Sequence, residues 1–111
     1  MNTKDFLGKR VEVIMDRPLG SRHPKHRYFY KVNYGYVPGT MMPDGEELDV
    51  YFLGTNMPLK KAEGVCIAII HRTDDDDDKL IVVPEGQSFT DEEIEKLVEF
   101  QEKWFHHKLL R

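Results

Sequence analysis

Carboxylates gathered in two short segments are the residues of this sequence most able to do chemistry. The first segment is the turn and strand 44–49, and the second is the run of five aspartates 74–78 that ends at Lys79. If the segments meet, carboxylates about 4 Å apart repel by roughly 4 kcal/mol per pair at an effective dielectric constant near 20, so the site must bind protons or cations. The alternative is a pair of solvated acidic loops that never meet.

Asp and Glu offer only oxygen ligands here, because no Cys and no ordered pair of His accompanies them. Oxygen ligands favour Mg²⁺, with Mn²⁺ as an alternative, over zinc, and Mg²⁺ is usually held by a few carboxylates together with substrate phosphates. Six basic side chains are bunched within eleven residues: Arg17, Arg22, His23, Lys25, His26 and Arg27. A metal site rimmed by cations suits phosphoryl chemistry.

Short strands must position these acids. Apolar stretches separated by Pro and Gly turns predict five strands, at 10–15, 27–32, 48–54, 64–72 and 79–83. Five short strands predict a mainly β fold, a small closed five-stranded barrel. In the third strand, alternation places Leu48, Val50 and Phe52 on one face and Asp49 and Tyr51 on the other.

The residues after Ser88 change to a helical period. Thr90 followed by Glu93 is a capping-box pattern, and apolar residues then recur at spacings of three and four. We expect a C-terminal amphipathic α-helix over 91–108 that packs across the barrel, with Trp104 in the core.

Composition excludes several classes of protein. The chain has 111 residues with 40% hydrophobic and 32% charged content, which predicts one globular domain over 1–111. The net charge of −4 disfavours duplex nucleic acid as a partner, and the lack of a long apolar run disfavours a membrane. The single cysteine, Cys66, lies in an apolar run, where a buried packing thiol is favoured over a nucleophile. A reducing cytoplasm fits best.

The segments Tyr30–Tyr36 (YKVNYGY) and Asp44–Val50 (DGEELDV) together resemble the core of the soluble family I inorganic pyrophosphatases. The resemblance includes Val11–Val13 (VEV) and Thr73–Pro84 (TDDDDDKLIVVP), and it covers residues 10–84. It implies a barrel of OB type and Mg²⁺-dependent hydrolysis of inorganic pyrophosphate to two phosphates.

The resemblance also implies roles for individual acids. Asp44 and Asp49 would ligate Mg²⁺, with Asp74 and Asp77 as further ligands from the acidic loop. Glu46 stands where the family usually has the aspartate that orients and deprotonates the attacking water, so this chain has a longer carboxylate at that position.

The resemblance also implies which residues bind the substrate. Tyr34 and Lys79 would contact phosphate oxygens, while Glu12 and Tyr30 would line the site or support it from behind.

The chain departs from the family pattern at two places. Between Glu12 and Tyr30 it is much shorter and lacks the hairpin that supplies a lysine and an arginine to the substrate, so Arg17, Arg22 or Lys25 would substitute.

The family's Tyr-Lys phosphate pair falls on Trp104 and Phe105, which supply no comparable charge. Both departures keep open a second function, in which the chain binds or hydrolyses another phosphorylated ligand such as a nucleotide.

A third option is an OB-type binder of single-stranded nucleic acid that uses exposed aromatic residues, such as Tyr28, Phe29, Tyr34 and Tyr36. The acidic site argues against it. The oligomeric state stays open, with a homo-oligomer among the options.

Overall fold

Six strands and one α-helix make up the fold in the computed structural model, which describes residues 2–111. In chain order they are β1 (Arg10–Arg17), β2 (Asn33–Val37), β3 (Leu48–Phe52), β4 (Lys61–Arg72), β5 (Asp77–Val83), α1 (Asp91–Glu102) and β6 (His107–Leu110), after a 3₁₀ turn at Thr3–Phe6. The strand order is β1-β2-β3-β5-β4, and β1 also pairs with β4, which closes a five-stranded barrel. Only the β3–β5 pair is parallel. The predicted barrel of OB type is confirmed.

Two apolar clusters lie on opposite faces of the sheet. Leu48, Val50 and Phe52 belong to the first cluster, which fills the barrel. Tyr51 belongs to the second, which packs against α1. The predicted alternation along β3 is therefore confirmed, and it leaves the side chain of Asp49 only partly exposed on the face away from the barrel interior.

The predicted second strand, 27–32, is wrong, because β2 begins at Asn33. Residues 18–32 form an irregular loop that pairs with itself, since Tyr30 N–H donates to the Ser21 carbonyl at 2.8 Å. The buried Asn33 side chain ties the start of this loop to the segment before β4: its Oδ1 accepts from the amides of Leu19 at 2.9 Å and Leu59 at 3.0 Å. These contacts are distant in sequence, so local propensity could not predict them.

Gly35 in β2 is required by the close approach of β1. A Cβ atom built on it would lie 1.9 Å from the carbonyl oxygen of Ile14 and 2.8 Å from the Cα of Met15. Neither backbone atom can move without breaking the barrel pairing, so only glycine fits here.

The helix begins as predicted and ends six residues early. At its start, Thr90 Oγ1 accepts from Glu93 N–H at 3.1 Å and Glu93 Oε1 accepts from Thr90 N–H at 2.8 Å, which completes the capping box. After Glu102 the chain turns and adds β6 to the edge of β4. None of the helices within residues 2–111 is long and apolar enough to cross a membrane.

The early end of the helix also overturns the expectation that Trp104 is a core residue. Trp104 lies in the turn after α1 with 66% of its surface exposed. Pairing of the last residues with β4 satisfies backbone groups of both segments, and a longer helix would leave that strand edge open. By contrast, the expected buried thiol is confirmed, since Cys66 is fully buried.

Candidate active site

A cavity of about 920 Å³ opens beside the outer face of β3, between the loop 17–28 and the C-terminal end of α1. Its walls combine acidic, basic and aromatic side chains: Asp16, Arg17, His23, His26, Arg27, Tyr28, Tyr30, Tyr34, Asp44, Glu46, Asp49, Arg72, Lys79, Gln101, Trp104 and Phe105.

The first acidic segment contributes three carboxylates to this cavity, those of Asp44, Glu46 and Asp49. Asp44 Oδ1 accepts from the Glu46 amide at 2.9 Å, and the left-handed Gly45 between them (φ 85°) makes the tight turn. The side chains of Asp44 and Glu46 are exposed, so they are free to meet a ligand.

Lys79 connects the two acidic segments. In the parallel pairing of β3 with β5, Asp49 is the register partner of Lys79. The Lys79 Nζ donates to Asp49 Oδ2 at 2.7 Å and to Asp77 Oδ2 at 3.1 Å, although Lys79 is only 3% exposed. The predicted approach of the two acidic segments is therefore seen at Asp49 and Asp77, which share one ammonium group.

The other aspartates of the run point elsewhere. Asp74 accepts from the His106 amide at 3.1 Å, which lowers the pKa of its exposed carboxyl group. Asp78 Oδ1 lies 2.6 Å from Nδ1 of His71, and Asp76 lies 3.6 Å from the same ring. Most of this run thus behaves as a solvated loop, and neither Asp74 nor Asp77 lines the cavity itself.

The donor chemistry of this corner fits a divalent cation. The Lys79 ammonium stands between Asp49 and Asp77, where two carboxylates already share one positive charge. All the side-chain donors are oxygens, as Mg²⁺ prefers. Within residues 2–111, no group of three or more acidic, His or Cys side chains is already arranged to hold a metal ion.

Two tyrosines line the cavity next to these acids. Burial raises the pKa of Tyr34 well above its usual value, and the nearby Asp49 carboxylate raises it further. Burial also raises the pKa of Tyr30 to about 12. Both phenols therefore stay protonated at neutral pH and can donate hydrogen bonds. The Lys79 Nζ lies 5.5 Å from the centre of the Tyr34 ring.

The predicted basic residues separate into two groups. Arg17 lines the main cavity, and so does Arg27, which belongs to the basic cluster in the sequence but was not assigned to the substrate. Arg22 and Lys25 line a smaller neighbouring pocket of about 420 Å³. Glu12 lies outside both cavities, exposed on β1 beside its register partner Glu63.

Asp16 is a further acid that the sequence reasoning missed. It lines the cavity, and burial raises the pKa of its carboxyl group.

Arg72 and Glu102 form a buried ion pair that the sequence reasoning also missed. Arg72 Nε donates to Glu102 Oε1 at 3.0 Å and Arg72 Nη2 donates to Glu102 Oε2 at 2.7 Å. One signal was available: Arg72 continues the alternate row of Ala68 and Ile70, which faces α1. Burial acts to raise the pKa of Glu102, but the hydrogen bonds from Arg72 and Tyr51 outweigh it and lower the pKa.

Comparison with known proteins agrees with this architecture. The sequence profile of the family "Inorganic pyrophosphatase" matches residues 9–108. The chain is 32% identical over 105 residues to an inorganic pyrophosphatase of Neisseria meningitidis serogroup A, covering 76% of this chain and 59% of that protein. It is 38% identical over 99 residues to that of Saccharolobus solfataricus, covering 70% and 57%.

Solved structures show the same fold. An inorganic pyrophosphatase from Ehrlichia chaffeensis superposes with a TM-score of 0.71 at 17% identity, covering 92% of this chain and 85% of that one. The enzyme from Thermus thermophilus gives 0.63 at 18% identity, covering 92% and 80%. This chain belongs to the inorganic pyrophosphatase family, and it spans less than 60% of the length of the curated relatives that it matches.

Proposed function

We propose that this protein hydrolyses inorganic pyrophosphate to two phosphates with Mg²⁺ as its cofactor, and that Mn²⁺ can replace Mg²⁺. The observation that carries the proposal is the meeting of Asp49 and Asp77 on the Lys79 ammonium, where Asp49 and Lys79 line a cavity that also holds further acids and arginines. Membership of the inorganic pyrophosphatase family supports it.

The proposed metal ligands are Asp44, Asp49 and Asp77, with Asp74 joining them if it leaves the His106 amide. When bound, a divalent cation lowers the pKa of a coordinated water and neutralises phosphate charge. The exposed Glu46 carboxylate would accept the proton of the attacking water. A general base must come within hydrogen-bonding distance of the water that it deprotonates.

Substrate binding is assigned to groups that stay charged or protonated at neutral pH. The Lys79 ammonium and the Tyr34 phenol would hold phosphate oxygens, and Arg17 at the cavity wall would replace part of the charge of the missing hairpin. Arg22 and Lys25 lie further out and would attract the anion rather than touch it. Tyr30 would support Tyr34, whose ring centre lies 5.2 Å away.

Glu12 lies outside the cavity, so no direct contact with the substrate is assigned to it. We propose that it supports the site only indirectly, through β1, the strand that also carries Asp16 and Arg17.

The direct test is orthophosphate release from pyrophosphate, with Mg²⁺ and with a chelator. We expect release that requires the metal and is lost in Lys79→Met. The exposed helix residue Lys96 provides the matched control, because Lys96→Met removes the same charge far from the cavity. Release equal in the two variants would contradict the assigned site, and no release from the unmodified protein would contradict the proposed reaction.

A second candidate is binding or hydrolysis of a phosphorylated ligand with an aromatic group, such as a nucleotide. Trp104 is 66% exposed and lines the cavity, and the rings of His26 and Tyr28 lie nearly parallel there, 5.9 Å apart at 9°. Stacking of a base on such rings contributes about 1–3 kcal/mol. Trp104 is the only tryptophan, so quenching of its fluorescence by ATP but not by pyrophosphate would favour this candidate.

The proposed localisation and partners follow from the net charge of the protein and from its single thiol. We propose a cytoplasmic protein without nucleic-acid or membrane partners, because its net charge is −4 and its one cysteine is buried and unpaired. Burial raises the pKa of Cys66 to about 11, which argues against the alternative role as a nucleophile. Sedimentation would decide whether the protein is a homo-oligomer.

A further inference from the structure

The guanidinium of Arg72 is fixed in one orientation at the cavity wall. Its Nε and Nη2 atoms both donate to the Glu102 carboxylate, at 3.0 and 2.7 Å. The ring of Phe105 covers one face of the group, with its centre 3.6 Å from Cζ. Two hydrogen bonds and a stacked ring leave this side chain little rotational freedom.

One edge of the guanidinium remains open for a ligand. Among the described residues Nη1 makes no hydrogen bond, and its nearest acid is Asp75, whose Oδ2 lies 3.8 Å away, beyond hydrogen-bonding distance. Arg72 lines the same cavity as Lys79 and Arg17, although only 7% of its side chain is exposed. The hydrogens on Nη1 are therefore the donors with which Arg72 can meet an anion.

Glu102 is itself held rigidly from behind. It is 1% exposed and accepts from the Tyr51 hydroxyl at 2.5 Å, and that hydroxyl in turn accepts from Gln101 Nε2 at 2.7 Å. A buried ion pair of this kind gives little net stability compared with apolar residues of similar volume. Its geometry does, however, hold an arginine that is always charged against the cavity.

We propose that Arg72 is an anion-binding residue of the cavity, donating from Nη1 to an oxygen of a bound phosphate group, and that Glu102 is the residue that positions it. The inference shares one premise with the proposed function, namely that the cavity binds phosphate groups. Glu102 anchors Nε and Nη2, while Nη1 remains free to donate. The arginine is therefore preorganised to bind phosphate and loses little conformational entropy on binding.

Binding of orthophosphate, and of imidodiphosphate as a slowly hydrolysed analogue, tests this without any turnover. The test variant is the double substitution Arg72→Met with Glu102→Gln, which removes both charges and leaves no buried ion unpaired. The matched control is Arg10→Met, because Arg10 also pairs with two acids but lies exposed on the far end of β1. Mn²⁺ affinity, measured in parallel, reports on the acidic ligands alone.

We expect the double variant to unfold cooperatively, to keep its Mn²⁺ affinity and to bind imidodiphosphate at least tenfold more weakly than the control. A folded double variant that binds the analogue as tightly as Arg10→Met does would overturn the proposal. So would failure of the unmodified protein to bind either anion at millimolar concentration.

Arg72→Lys covers the case in which the double variant does not fold, since it keeps the charge beside Glu102. Lysine lacks the planar fork that serves the carboxylate and the ligand together, so we expect weaker analogue binding with unchanged Mn²⁺ affinity. Unchanged analogue binding would count against the role. If pyrophosphate is not hydrolysed and yet binding depends on Arg72, the proposed function fails and this inference stands.

Discussion

Substitution of Glu102 by glutamine should destabilise the protein more than any surface change. The carboxylate is 1% exposed and accepts two hydrogen bonds from Arg72 and one from Tyr51. Removing its charge leaves the Arg72 guanidinium buried without its hydrogen-bonded counter-charge, since the carboxylate of Asp75 lies 3.8 Å away, and this loss costs about 3–5 kcal/mol. For a chain of this length, that loss lowers the melting temperature by roughly 10–20 °C.

Urea unfolding followed by far-UV circular dichroism measures this loss. Glu99→Gln is the matched control, because Glu99 lies one turn earlier in the same helix with its side chain exposed, and its substitution should change the unfolding free energy by about 0.5 kcal/mol or less. Equal stability of the two variants would refute the reasoning that the buried pair holds this helix end.

The same pair predicts a pH dependence. The pKa of Glu102 is lowered in the folded state, so its contribution is fully present above the unfolded pKa, about 4.3 for a glutamate, and is lost as the pH falls through the lower folded value. The stability difference between the unmodified protein and Glu102→Gln should therefore stay constant from neutral pH to about pH 5 and shrink below it. A constant difference at every pH would contradict the ion-pair origin.

Three further predictions concern activity and the barrel. Asp49→Asn should cut metal-dependent turnover by more than about 100-fold while cooperative unfolding persists, as paired activity and urea measurements would show. Glu46→Gln should cost about 10² to 10⁴ in turnover at unchanged metal affinity, whereas Glu46→Asp should keep measurable activity; full activity in Glu46→Gln would remove it from the mechanism. Gly35→Ala should cost about 3 kcal/mol or more, because its Cβ would meet the Ile14 carbonyl, while Gly39→Ala, with open space around it, should cost only about 1 kcal/mol for its positive φ.

Features of the structure that depend on neighbouring residues could be predicted from local patterns in the sequence. The alternation in β3 placed Asp49 away from the barrel interior, and the capping box at Thr90 and Glu93 marked the start of the helix. Both depend on residues within a few positions of one another, so spacing alone reports them.

Features decided by distant contacts could not be predicted in this way. The start of β2 depends on Asn33 binding the amide of Leu59, and β6 forms because the edge of β4 is open. The Arg72 and Glu102 pair joins residues thirty positions apart. The alternate row of Ala68 and Ile70 points Arg72 toward α1, but no local pattern identifies Glu102 as its partner. The formation of β6 also ends α1 at Glu102, which leaves Trp104 exposed in the turn between them.

The claim that the acidic segments form a divalent-metal site is tested most directly by an anomalous-scattering crystal structure with Mn²⁺. The account predicts a peak at the cavity wall, about 2.1 Å from carboxylate oxygens of Asp49 and Asp77, with the Lys79 ammonium displaced from between them. Peaks only at the exposed aspartates of the acidic loop, with Lys79 still bridging Asp49 and Asp77, would contradict it.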